Sequence, residues 1–103
     1  MANVPHEFWM LYIQDFDLVF ERDIDPVDLF CQQHDERDQQ ELLRHLTDFY
    51  AGVLSGQRSI QELVDLGLEY VPGDEQHPET WMPRLIERLK ERMGYLANES
   101  PQR

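Results

Sequence analysis

Between Asp38 and Leu54 the large apolar residues fall at Leu42, Leu43, Leu46, Phe49, Tyr50, Val53 and Leu54, in steps of one, three and four. That spacing keeps them on a single stripe of a 3.6-residue helix, and such a helix is stable in water only with the stripe buried. Gln40, Glu41, Arg44, His45, Thr47, Asp48 and Ala51 fall on the other side, where water is partner enough. One long amphipathic helix therefore needs other elements to cover it, and the flanking segments are patterned to do so.

Those segments carry helix start and stop signals in turn. Pro5 can open a helix running to about Gln14, in which Phe8, Trp9, Met10, Leu11, Tyr12 and Ile13 are too apolar all round for one buried stripe. This excess fits a homodimer and a fully buried helix equally well. From Gln14 to Leu18 carboxylates alternate with large apolar residues, which predicts a short extended link with Phe16 and Leu18 pinned to the core and Asp15 and Asp17 capping or facing water. Asp25 then reads as an N-cap, with Pro26 at the first helical position and Asp28 near the positive helix end. A short helix from Pro26 to about His34 follows, with Val27, Phe30 and Cys31 inward. Asp35-Glu36-Arg37-Asp38 repeats the start signal for the long helix, and Ser55-Gly56 stops it.

Ser59 and Glu62 have the form of a capping box for a helix from Ile60 to Leu66, closed by Gly67. Leu68, Tyr70 and Val71 run extended to a turn at Pro72-Gly73, and a polar loop spans Asp74 to Glu79. The last helix is predicted to start near Thr80 as cap, with Pro83 harmless in its first turn. Trp81, Leu85 and Leu89 stack at i, i+4 and i+8, and Met82, Ile86 and Met93 widen the stripe. No repeat or linker divides the chain. The expectation is one all-α domain over 1–103, a compact bundle of about five helices, two of them short, with a core from about 5 to 96 and a frayed tail over 97–103.

Composition supports folding and limits the setting. With 41% hydrophobic residues and aromatic side chains from five Phe, two Trp and four Tyr, a chain of 103 residues can bury roughly two thirds of its unfolded surface. The single Cys31 excludes an internal disulfide and fits a reducing compartment. The start has no basic n-region and no small-residue cleavage site, and no apolar run approaches the length of a membrane span. A cytoplasmic location is therefore expected, with no membrane association.

Charge is the second constraint. The formal net charge is −12, and residues 1–50 hold twelve acidic against three basic side chains. A field of that sign repels nucleic acid and anionic membranes and steers a basic partner in, raising on-rates by something like 10 to 10³. It also serves solubility alone.

The search for chemistry is mostly negative. No His or Ser is spaced for an acid-base or nucleophilic set, and Ser55 and Ser59 have turn or cap explanations. His6, His34, His45 and His77 are scattered without metal-ligand spacing and read as surface residues. The run Asp15, Asp17, Glu21, Asp23, Asp25, Asp28 lacks the glycine of a calcium loop and is broken by Phe16, Leu18 and Val19. Arg84, Arg88, Lys90 and Arg92 cluster on the last helix, but Glu87 and Glu91 interleave with them at salt-bridging spacing, which reads as a solvated face. No catalytic residue, metal or cofactor is expected, so the residues alone describe a small, acidic, helical interaction module.

A resemblance adds to this. The order of an aromatic-rich first helix, Tyr12-Ile13-Gln14-Asp15-Phe16-Asp17, a short capped helix, a Leu-rich long helix, Leu66-Gly67-Leu68-Glu69-Tyr70-Val71-Pro72 and a final helix opening with Trp81 resembles the immunity proteins of contact-dependent growth inhibition, over roughly Phe8 to Leu89. Pro83 departs from the usual family pattern. The resemblance implies a small bacterial cytoplasmic protein that binds the toxic C-terminal domain of a cognate contact-delivered effector. Such a domain is often a nuclease, for instance a tRNase, and it is neutralised without chemistry by the immunity protein.

Joined to the charge, the resemblance leads to a mechanism. Nuclease clefts that bind polyphosphate are basic, and carboxylates can stand in for phosphates there. The candidates for toxin contact are Asp15, Asp17, Glu21, Asp23, Asp25 and Asp28, then Asp35, Glu36 and Asp38, with exposed aromatics among Phe8, Trp9 and Tyr12 as apolar anchors. The alternative is an acidic helical adaptor or structural subunit of another bacterial complex.

Overall fold

The computed structural model describes residues 4–94 except Gly67, Pro72 and Glu75, together with the backbone but not the side chain of Asp17. The expectations placed on Gly67, on Pro72 and on the tail after Tyr95 lie outside the described residues. Within them the chain is all helix and loop: α1 Val4–Trp9, α2 Phe16–Val19, α3 Asp25–Gln33, α4 Glu36–Ser55, α5 Gln61–Leu66, a 3-10 turn Pro78–Thr80, and α6 Met82–Met93. The all-α bundle expected from the patterning is what forms. None of these helices is long and apolar enough to cross a membrane.

The long helix α4 is the spine, against which α6, α1 and α3 pack. Asp35 caps it in extended backbone, its side chain accepting from the Asp38 amide at 3.1 Å. Gly56 ends it with φ +83°, a left-handed turn that a side chain would strain. Of the expected stripe, Leu42, Leu46 and Phe49 are fully buried, Leu43, Tyr50 and Val53 pack partly against them, and Leu54 lies at the rim, 63% exposed. His45 departs from expectation. It sits on the boundary of the stripe and is half-buried, because the indole of Trp9 reaches it.

The apolar first segment needs no partner beyond the bundle. Its helix stops at Trp9, and the tighter turns Leu11 N–H to Phe8 O and Tyr12 N–H to Trp9 O rotate the chain. Phe8, Trp9 and Tyr12 can then all enter the core, and in the stretch from Phe8 to Ile13 only Met10 is exposed. Edge-to-face contacts join Phe8 to Trp9, Tyr12 and Phe30 at centroid distances of 4.9, 5.5 and 6.0 Å.

The expected extended link after Gln14 is instead the single turn α2. Alternation would place Phe16 and Leu18 on one side. A helical turn of about 100° per residue puts Phe16 and Phe20 together and turns Leu18 away. Phe16 is buried and stacked between Tyr12 and Tyr70, whereas Leu18 is 85% exposed.

Two helix starts also differ from expectation. Ile24, not Asp25, occupies the cap position of α3, and Trp81, not Thr80, that of α6. The 3-10 turn at Pro78–Thr80 uses up the residues before Trp81, and Pro83 lies in the first turn of α6 as anticipated. Ser59 and Glu62 form the reciprocal half of their box, the Ser59 amide donating to Glu62 Oε2 at 3.1 Å. Gly94, at φ +85°, ends α6.

Candidate interaction surface

The candidate carboxylates divide into two kinds once the chain is folded. Asp23 and Asp28 meet the arginines of α6, and Asp25 between them meets Arg22. Arg84, Arg88 and Arg92 recur every fourth residue and so share one face of that helix. Helix α3 packs against α6 and brings Asp28 to that face, where Arg88 grips it with both ends of its fork, Nε to Oδ1 at 2.8 Å and Nη2 to Oδ2 at 2.9 Å. Arg92 and Arg22 stand 3.7 and 3.8 Å from the same carboxylate, and Arg84 3.8 Å from Asp23.

Asp25 turns back rather than outward. Its Oδ2 accepts from the amides of Glu21 and Arg22, and its Oδ1 from Arg22 Nε at 2.9 Å. It therefore fastens the loop before α3, while the cap position it was expected to fill goes to Ile24. The paired hydrogen bonds from Arg88 hold the Asp28 carboxyl below the usual carboxylate range, with the charges of Arg92 and Arg22 adding and partial burial opposing. A concavity of about 270 Å³ lies over this cluster, lined by Arg22, Ile24, Arg84, Glu87, Arg88 and Glu91.

The expected solvated face of α6 is thus partly a tertiary contact. Arg88 does pair with Glu91 within the helix at 3.1 Å, as its spacing suggested, but its stronger engagement is with Asp28 sixty positions away. Sequence spacing showed the arginine row without showing what it meets.

The second kind of carboxylate stays at the surface. Asp15 and Glu21 are exposed at the two sides of α2, and Asp35 and Glu36 are exposed at the start of α4. Asp38 is intermediate, its Oδ2 2.9 Å from His34 Nδ1. The side chain of Asp17 lies outside the described set. Four of the nine basic residues, Arg22, Arg84, Arg88 and Arg92, are paired in this cluster with four carboxylates, Asp23, Asp25, Asp28 and Glu91, so the net −12 lies elsewhere on the chain.

The aromatic anchors are corrected outright. Phe8, Trp9 and Tyr12 are 0% exposed and cannot touch a partner without unfolding the core. Trp9 donates to His45, and the Tyr12 hydroxyl donates to the Asp23 carbonyl at 2.7 Å. Burial, then the charges of Asp23, Asp25 and Tyr70, hold that phenol well above its ordinary range. Exposed apolar side chains lie elsewhere, at Met10, Leu18, Val19, Leu54 and Val64. Alternation along an extended link places Leu18 inside, whereas the helical turn of α2 carries it to the surface.

Among the described residues no group of three His, Cys, Asp or Glu is placed to hold a metal ion, and burial pushes the Cys31 thiol up, away from thiolate chemistry. Comparison with family models, with curated proteins and with solved structures finds no match in any of the three.

Proposed function

We propose that this chain is an immunity protein that binds and neutralises the C-terminal toxin domain of a contact-dependent growth inhibition effector, through carboxylates that oppose a basic toxin face. The observation that carries the reading is the sorting of charge. The α6 arginines are neutralised against Asp23 and Asp28, which leaves Asp15, Glu21, Asp35 and Glu36 exposed on a chain of net −12. Carboxylates of this kind compete with phosphate for a basic cleft and speed encounter with it. The resemblance over Phe8 to Leu89 supplies the class of partner. Inhibition is by occupancy, with no chemistry by this chain.

The test is capture of the tagged protein from its own cells during contact with siblings. Recovery of a toxin C-terminal fragment supports the reading. The same reading expects Asp15→Lys, Glu21→Lys and Glu36→Lys together to slow association with that fragment and remove protection while the fold is kept. Recovery of a housekeeping complex in place of the fragment transfers the acidic surface to the adaptor reading.

A further inference from the structure

The exposed apolar pair Leu18 and Val19 is presented by a scaffold too well anchored for its exposure to be incidental. Helix α2 is one closed turn: the Leu18 amide donates to Asp15 O and the Phe20 amide to Phe16 O, each at 2.9 Å. Its inward side is tied down at both ends. Phe16 is buried, stacked on Tyr70 at 4.4 Å with an interplanar angle of 3° and on Tyr12 at 5.4 Å, and Phe20 lies 5.0 Å from Phe16 against the core. The rest of the segment is held as well. The Tyr12 carbonyl accepts from the amides of Glu69 and Tyr70, and the Gln14 amide donates to Glu69 Oε1.

With Phe16 and Phe20 fixed inward, the helical period sends Leu18 outward and leaves Val19 on the flank of the turn, and they are 85% and 60% exposed. A large aliphatic side chain held out on a braced turn loses little freedom when a partner covers it. The charges around it state what that partner is. Asp15 and Glu21 flank the turn, exposed and, among the described residues, without an ion-pair partner. The nearest cation in sequence, Arg22, is held by Asp25 at 2.9 Å.

We infer that Leu18 and Val19 form the apolar knob of a protein-docking surface whose partner offers an apolar pocket with a basic rim. This inference rests on the immunity reading for the partner's identity and deepens it by naming where that partner is held; the apolar-in-acidic pattern itself stands without it. The acidic flanks repel anionic lipid, so a protein, not a membrane, is the occupant.

A photo-cross-linking side chain placed at position 18 of the full chain in its own cells tests this, with the same group at position 54 as control, since Leu54 is also 63% exposed. The expected result is a cross-link from position 18, absent from position 54, to the basic surface of an identified protein domain. Leu18→Asp should weaken binding of that domain roughly tenfold or more with an unchanged unfolding midpoint, Leu18→Met should keep it, and Asp15→Lys with Glu21→Lys should weaken it as well. A cross-link to a second copy of this chain, to lipid, only from position 54, or none from position 18 overturns the inference. If the captured domain is basic but not toxic, the knob stands and the immunity reading fails; if a toxin domain cross-links only from elsewhere, the reverse holds.

Discussion

Trp9 Nε1 donates to His45 Nε2 across 2.9 Å, tying a fully buried ring of α1 to the flank of α4. An acceptor nitrogen carries no proton, so the folded protein holds His45 neutral with its hydrogen on Nδ1. Burial pushes the imidazole below its ordinary pKa and the Arg58 guanidinium adds to this, against the pull of Asp48.

This pair sets a pH dependence whose sign follows from linkage. A base whose folded pKa lies below its unfolded value binds fewer protons when folded, so stability rises with pH. The contribution of His45 is complete above the unfolded value of 6.5 and is lost as pH falls below it, until the folded imidazole also protonates. Urea midpoints between about pH 7.5 and pH 5 should therefore fall more for the wild type than for His45→Gln, whose amide oxygen accepts from Trp9 without titrating. His45→Leu, which orphans the buried indole N–H, should cost about 1–3 kcal/mol. Equal pH slopes for wild type and His45→Gln would remove the assignment.

The long helix was legible because three independent signals agree on it: the 3.6-residue stripe, Asp35 at its start and Gly56 at its end. Four residues cannot carry such agreement. Across Phe16 to Val19 one helical turn and a short strand predict the same composition and opposite facing, and tertiary stacking on Tyr70 decides between them. The reach of Trp9 and Tyr12 into the core depends on the helix ending at Trp9, with no Gly or Pro there to mark it. Asp28 and Arg88 are sixty positions apart, and no local pattern joins them.

That distant pair should be coupled more strongly than the exposed ones. Asp28 and Arg88 keep only 20% and 26% of their side-chain surface and bond through two parallel hydrogen bonds. Arg58 and Glu62, at 3.3 Å, keep 45% and 42%. A double-mutant cycle with Asp28→Asn and Arg88→Met should give about 1–3 kcal/mol of coupling, and one on Arg58 and Glu62 about 0.5 kcal/mol or less. Because the Asp28 pKa is lowered, its share of stability is present above the unfolded value of 3.8 and lost as pH drops through the folded one. Comparable couplings in the two cycles would contradict the pairing.

Gly73 tests the seating of Trp81. A Cβ built at Gly73 would lie 2.5 Å from Trp81 Cδ1 and 2.8 Å from Cγ, so either the loop or the indole must shift to admit it. Trp81 is 2% exposed, and its Nε1 donates to the Asp74 carbonyl at 2.9 Å. Gly73→Ala should cost about 1–3 kcal/mol through overpacking and alter the near-ultraviolet dichroism of the tryptophans. Wild-type stability and spectrum in this variant would show that the loop does not lie against the indole.

Neighbouring carboxylates at the start of α4 should respond in opposite ways. Asp35 accepts from the Asp38 amide, one of the donors that a helix start leaves without an intrahelical partner. Glu36, the next residue, is exposed in the first turn, where its charge meets only the weak field of the helix end. Asp35→Ala should therefore cost about 1 kcal/mol by thermal or urea unfolding. Glu36→Gln should change stability by no more than about 0.5 kcal/mol. The same difference decides which substitutions can probe a partner. Weaker binding in the Asp35 variant mixes loss of the cap with loss of a contact, whereas weaker binding in the Glu36 variant, at unchanged stability, reports the surface alone. If Glu36→Gln proves as destabilising as Asp35→Ala, the start of α4 is capped by a different arrangement, and Glu36 must be withdrawn from the exposed set.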